Sequence, residues 1–339
     1  MKYTFPLAAV IALVLIAWIG SNIPGMQYLF GIVIPYLAIA TFIIGFCYRV
    51  VQWAKSPVPF RIPTTCGQQY SPLPWIKQNK LEAPANTSQV VARMFLEVVL
   101  FRSLWRHTKA EIHDGPKLTY ESSKWLWLFG LMFHYSFLVV VFRHMRLFLD
   151  PVPWFIQVIE FGDGILQIGS PGMYITDATI ILGLVFLFGR RLITRNLRYL
   201  SLANDYFPLF LIFGIAVTGI MMRFYFRTDV DIVAIKRLAV GLATFQPVIQ
   251  AEISSLFYIH LFLVSVLLAY FPYSKLMHMG GVFLSPTRNL ANDSRMRRHI
   301  NPWNPDIKPH SYASYEDEFR EFMVENDIPV EKELPPKAE

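Results

Sequence analysis

The chain has 339 residues, 54% of them hydrophobic and only 16% charged, with a formal net charge of +7. Soluble domains are about 45–50% apolar and about 25% charged, so this composition, with a mean hydropathy of +0.39, excludes an ordinary water-soluble fold and makes lipid the main solvent. A nucleic-acid partner is excluded because it needs a basic soluble surface, and the cysteines Cys47 and Cys66 fall in no CxxC or similar spacing for zinc or an iron–sulfur cluster.

Crossing a hydrocarbon core takes about 20 apolar residues in a helix, and six runs of that kind follow in order. Residues 3–23 and 28–51 read as a helical hairpin turned at Ser21, Asn22, Pro24 and Gly25, not as a cleaved signal peptide, because the second run begins at once. Residues 52–122 are a long polar loop with many Lys and Arg. Within it Ser88 is expected to cap a helix reaching about Trp105, with Val91, Phe95, Val98, Val99 and Arg102 at helical spacing. The remaining runs are 125–149, 173–192, 206–226 and 251–273. The last is expected to continue as a kinked helix past Pro272, which membrane helices tolerate.

Basic residues of 52–122, of 190–205 (Arg190, Arg191, Arg195, Arg198) and of the tail fall on one side, which the positive-inside rule makes cytoplasmic. Arg223, Arg227, Lys236 and Arg237 fall on the other side, partly offset by Asp229 and Asp231. The expected fold is therefore an all-α membrane protein with six transmembrane helices, a long cytoplasmic loop after the second and both termini cytoplasmic. Its parts are a hairpin (1–51), the loop (52–122), a four-helix core (123–280) and a soluble tail (281–339). In the tail, Ser314 with Asp317 is expected to open a helix carrying Tyr315, Phe319, Phe322 and Met323 on one face.

Two runs carry ionisable groups where they are costly. FHYSFLVVVFRH, residues 133–144, has His134 and His144 at its ends, and HLFLVSVLLAYFPYSKLMH, residues 260–278, has His260 and His278. With the first run rising and the second descending, depth pairs His144 with His260 toward the outside and His134 with His278 toward the inside. At about 1.5 Å per residue the first two are separated by roughly 15 Å along the helix and the second two by roughly 27 Å, a mismatch that tilt and the Pro272 bend must absorb. Two helices with two histidines each can supply axial imidazoles to two haems, and without CxxCH these are b-type. A proton or metal transporter gathers its site near the midplane instead. A membrane anchor with packing histidines is the other alternative. Asp163, in PVPWFIQVIEFGDG, is a candidate proton acceptor for a quinone site beside the outer haem, or simply a turn residue. Arg143 and Arg146 are candidates for propionate pairing or surface anchoring.

The histidines, ten apart on one helix and eighteen apart on a later one, resemble those of the gamma subunit of respiratory nitrate reductase, a dihaem cytochrome b that oxidises quinol. The stretches FGIVIPYLAIATFIIGF, FRIPTTCGQQYSPLPWIK and FRSLWR are more similar still to the cytochrome b subunit of the membrane complex associated with dissimilatory sulfite reductase, the DsrM type. That resemblance implies two haem b groups, the inner on His134 and His278 and the outer on His144 and His260. It also implies menaquinone as redox substrate and location in the cytoplasmic (inner) membrane. The implied partners are a cytoplasmic iron–sulfur subunit resembling the heterodisulfide reductase catalytic subunit, and further membrane and periplasmic cytochrome subunits. The lysine used near the quinol site by the nitrate reductase relatives has no counterpart, because no lysine lies between Lys124 and Lys236.

Overall fold

A computed structural model describes residues 2–56, 79–113, 115, 117–166, 172–250, 253–291 and 308–333. Cys66 and the stretch 60–77 lie outside the described residues. Backbone polar groups in lipid have no water to pair with, so each apolar run closes its hydrogen bonds internally as a helix.

In chain order, α1 (Thr4–Ser21) and α2 (Met26–Lys55) are joined by a tight turn, with Gly25 at φ 84° where a left-handed residue is needed. The polar loop contributes α3 (Thr87–Leu100) and an antiparallel hairpin of β1 (Thr108–His113) and β2 (Lys117–Ser122). Then come α4 (Lys124–His144), α5 (Trp154–Asp163), α6 (Ile175–Ile193), α7 (Ala203–Ile220) with a π-helical turn at Met221–Tyr225, α8 (Ile232–Ala243), α9 (Ser255–Tyr270) and, in the tail, α10 (Tyr312–Glu325). Five of these helices, α1, α2, α4, α7 and α9, are long and apolar enough to cross a membrane. The run at 173–192 forms α6, which has comparable length but carries Asp177 in its first turn and Arg190 and Arg191 in its last. The chain is a multi-pass membrane protein.

Among membrane helices, contact between surfaces of complementary shape replaces the hydrophobic drive. α4 packs along α6, where Phe129 and Phe186 stack at 3.9 Å and a Cβ on Gly183 would stand 3.0 Å from Phe133. α9 packs along α2, and α1 fits against α7 and α9. The fully buried core lies where these meet, with Ala17, Leu211, Leu238, Tyr258 and Leu263 at its centre. Phe5, Leu37 and Ile44 remain exposed, as lipid-facing side chains do.

The two ends of the bundle differ electrostatically. Where α6 ends and α7 begins, Asp205 meets Lys275 at 2.5 Å and Arg191 at 4.0 Å, amid the Arg190–Arg198 basic group. At the opposite end the cations are paired: Arg223 with Glu160 at 3.2 Å and Lys236 with Asp150 at 2.9 Å. These pairs offset two of the positive charges that seemed out of place in the sequence.

Three local expectations are corrected. The final membrane helix does not run through Pro272. α9 stops at Tyr270, and the chain makes a 3-10 turn at Phe271–Tyr273, an extended step at Ser274 and a second 3-10 turn at Lys275–Met277 before a short helix opens at His278. Pro272 offers no N–H to continue the ladder, and the Ser274 hydroxyl accepts from Leu276 N at 3.1 Å to start the next turn. α2 braces this elbow so closely that a Cβ on Gly45 would lie 2.7 Å from Pro272. Next, α3 is capped by Asn86, which accepts from Gln89 N at 3.1 Å, and ends at Leu100 instead of continuing to Trp105. It buries Val90, Arg93 and Glu97, leaving Val91, Phe95 and Val98 exposed. Finally, α10 is capped by Ser311, which accepts from Ser314 N at 3.1 Å, so it begins ahead of the expected Ser314–Asp317 box. Within α10, Met323 is buried while Tyr315, Phe319 and Phe322 stay exposed. Glu316 accepts the N–H groups of Glu331 and Lys332, each at 2.9 Å, and these bonds hold its carboxyl below the usual carboxylate range.

Candidate functional site

His134, His144, His260 and His278 meet in two pairs, one toward each end of the bundle. His134 of α4 faces His278, with ring centroids 5.9 Å apart and ring planes at 81°. His144, at the end of α4, faces His260 of α9 at 6.2 Å with planes at 9°. The broken elbow after α9 is what carries His278 to His134, so the unequal spacing of ten and eighteen residues needs no stretched helix.

Each ring is tied through Nδ1. His134 donates to Gly130 O at 2.7 Å, His144 to Val140 O at 2.7 Å and His278 to Lys275 O at 2.8 Å. A carbonyl can only accept, so these imidazoles carry hydrogen on Nδ1. His260 Nδ1 lies 2.9 Å from the Thr218 hydroxyl of α7. Thr218 Oγ1 also lies 2.9 Å from Gly214 O and 3.0 Å from Ile215 O, and giving its one hydrogen to either carbonyl leaves it to accept from His260 Nδ1. Gly219 permits this approach, since a Cβ there would lie 3.3 Å from the His260 ring. Nε2 keeps its lone pair in His134, His144 and His278, and in His260 when Thr218 accepts from its Nδ1.

That arrangement fits haem. Two metal–imidazole bonds of about 2 Å, plus about 1.1 Å from each Nε2 to its ring centre, place trans ligands roughly 6 Å apart by centroid. Nδ1 bonds of this kind fix tautomer and ring orientation in metal-ligating histidines. Among the described residues no three His, Cys, Asp or Glu side chains gather around a common point. Each pair could thus hold a haem iron between its two Nε2 atoms, and among the described residues no third His, Cys, Asp or Glu stands with them.

Beside the His144 pair lies a polar cluster. Asp163 is buried, accepting from Arg143 at 2.6 Å, Thr176 N at 2.8 Å and Thr176 Oγ1 at 2.6 Å. Arg143 also reaches Asp177 at 3.4 Å. Arg146 pairs with Glu160 at 2.5 Å. Arg223, placed by the π-helical turn after α7, donates to the Tyr174 hydroxyl at 2.6 Å and to Glu160. Both Arg143 and Arg223 lie over the Tyr174 ring, at 4.1 and 4.3 Å. Arg143 and Arg146, proposed from sequence for propionates or anchoring, thus have protein carboxylates as partners.

Residues 90–298 match the model of the nitrate reductase gamma subunit family, a segment that contains all four histidines. The chain belongs to the nitrate reductase gamma subunit family. Two relatives are similar to it over most of their length. One, from Archaeoglobus fulgidus, is named Hdr-like menaquinol oxidoreductase cytochrome b-like subunit and is 43% identical over 288 residues, covering 83% of this chain and 85% of the relative. Another of the same name from Archaeoglobus profundus is 41% identical over 281 residues, covering 80% and 82%. In this member of the family α1 and α2 both precede the matched segment.

Sequence reading missed several residues of these sites. Thr218 left one signal, being the single threonine in the apolar run of α7. Tyr174, Arg223 and Glu160 come from three separate elements and converge only in the fold.

Proposed function

We propose that this chain is a dihaem b-type cytochrome of the cytoplasmic membrane that exchanges electrons between menaquinone and a cytoplasmic iron–sulfur subunit. The observation that carries this reading is the presence of two histidine pairs at opposite ends of one bundle. Each is spaced for trans ligation and tied through Nδ1. His134 and His278 hold the inner haem and His144 and His260 the outer. Haem bound in each pair would carry single electrons across the membrane thickness. The topology has six spans, α6 being the sixth, with both termini cytoplasmic, since the basic end coincides with the His134 pair.

The protein's own contribution is orientation and proton handling. The Nδ1 bonds hold the imidazoles in their ligating tautomer. α5 exposes Trp154, Val158 and Phe161 beside the outer pair, an apolar wall suited to a quinone ring and tail. Asp163, with both oxygens occupied, anchors Arg143, and the partly exposed Glu160 is the better-placed acceptor for a proton leaving that end. The relatives' name supports menaquinol as donor and, through its Hdr-like element, a partner resembling the heterodisulfide reductase catalytic subunit. Further membrane and periplasmic cytochrome subunits, and a place in dissimilatory sulfur metabolism, follow from the resemblance to the sulfite reductase-associated complex.

A menaquinol analogue added without oxygen to the oxidised protein should produce the reduced b-type spectrum. If dithionite reduces the protein and the quinol does not, the quinol assignment fails. Thr218→Val should loosen the outer haem by roughly 10–100-fold, as losses of such supporting bonds do. Haem capture by an added apo-globin measures this, and an unchanged release rate would contradict the role given to Thr218.

A further inference from the structure

The turn that ends α3 touches the inner histidine pair, and its geometry is not that of an ordinary loop. Phe101 has φ 51°, a left-handed conformation in which a helix terminus usually places glycine. Its ring stands edge-on to the His134 imidazole, with centroids 5.0 Å apart and planes at 86°. Phe133 meets the same imidazole at 5.1 Å and 81°.

Several contacts hold the turn in place. α4 satisfies the last carbonyls of α3, with Tyr135 donating to Val99 O at 3.0 Å and Trp127 to Leu100 O at 2.7 Å. After the turn, buried Glu97 accepts from Ser103 N at 3.1 Å and Ser103 Oγ at 2.6 Å. Leu104 comes against Gly130, whose carbonyl holds His134 Nδ1, so that a Cβ on Gly130 would lie 3.7 Å from it. The segment therefore contacts both the imidazole and its hydrogen-bond acceptor. The stretch FRSLWR, residues 101–106, is this turn.

We infer that Phe101 is a positioning residue for the inner haem. The α3 turn latches onto α4 so that the Phe101 ring fixes the plane of His134 nearly perpendicular to His278 and lays hydrocarbon against one side of that imidazole. This rests on the dihaem reading above. The outer pair has a different arrangement, with planes at 9° and His260 held by Thr218, so the two haems should differ spectroscopically. Near-perpendicular axial planes give a strongly anisotropic low-spin ferric signal, and near-parallel planes an ordinary rhombic one.

The test is electron paramagnetic resonance with a redox titration of the full-length holoprotein, in wild type, Phe101→Gly, Phe101→Asn and Phe101→Tyr. Glycine and asparagine suit the left-handed backbone but lack the ring, while tyrosine keeps the ring. The wild type should show one signal of each kind. Both ringless variants should shift the anisotropic signal and lower the potential of that haem, because water favours the more charged ferric form, with the rhombic signal unmoved. Tyrosine should restore the wild-type values. If the ringless variants retain both haems with unchanged signals and potentials, Phe101 is mere packing and the inference is overturned. If glycine and asparagine variants do not hold both haems, Phe101→Leu is read by the same two signals, and unchanged values there overturn it equally. A wild type without two haem signals would instead sink the dihaem reading, and the inference with it.

Discussion

His260→Ala is expected to remove one haem and leave the other, and His144→Ala is expected to remove the same one. The rings of these two lie 6.2 Å apart, at the far end of α4 from His134, so each variant strips a single site of one axial nitrogen. A b-type haem has no covalent tether, and loss of an axial ligand from a two-ligand site removes most of what holds it. His134→Ala and His278→Ala should together define the complementary loss, since those rings form the 5.9 Å pair. Difference spectra and paramagnetic resonance of the four purified variants resolve the two sites. Loss of different haems from His144→Ala and His260→Ala would contradict the pairing, as would retention of both.

Asp163→Ala is expected to destabilise the protein by about 3 kcal/mol, toward the lower end for breaking a buried ion pair. Arg143 and Asp163 are both buried, and the alanine variant leaves the guanidinium with Asp177 at 3.4 Å as its remaining carboxylate. Among the described residues Arg143 Nε and Asp177 Oδ2 have no hydrogen-bond partner, so the site has little reserve. The cost is mostly that of an uncompensated charge, so an apolar double variant, Arg143→Met with Asp163→Leu, should recover most of it. Denaturation of the detergent-solubilised protein, read by release of the outer haem, measures both. A single variant as stable as wild type would remove Asp163 from its anchoring role, and a double variant no better than the single would locate the loss elsewhere.

Much of the bundle was legible because lipid imposes a simple rule: apolar runs of sufficient length become helices. The runs led directly to α1, α2, α4, α7 and α9, within a few residues at their ends. The pairing of the imidazoles by depth needed only the order of the helices and their alternating direction. What could not be read was rotation and local path. α4 is apolar on all sides, so no periodicity says which face meets α6 or where His134 points. The sequence at Pro272 is compatible with a kinked but continuous helix, since proline alone does not say whether the ladder resumes. The Ser274 cap and the close approach of Gly45 decide that it starts afresh.

The polar loop was harder for a related reason. Val91, Phe95 and Val98 mark an apolar stripe on α3, but the side that α3 buries within the chain is the one carrying Arg93 and Glu97. Their burial depends on partners outside the helix, Glu82 O for Arg93 and Ser103 for Glu97. The hairpin of β1 and β2 has too little apolar alternation to announce itself, and Phe101 takes a conformation that its residue type disfavours. Tertiary contacts hold these features, and they are invisible to local patterns.

The most direct measurement is the haem content of the purified chain, by alkaline pyridine haemochrome against quantitative amino-acid analysis. About two haems per chain are expected, both b-type with low-spin reduced bands, as two bis-histidine sites require. A folded preparation holding none, or a ratio near one that does not rise on added haem, would contradict it.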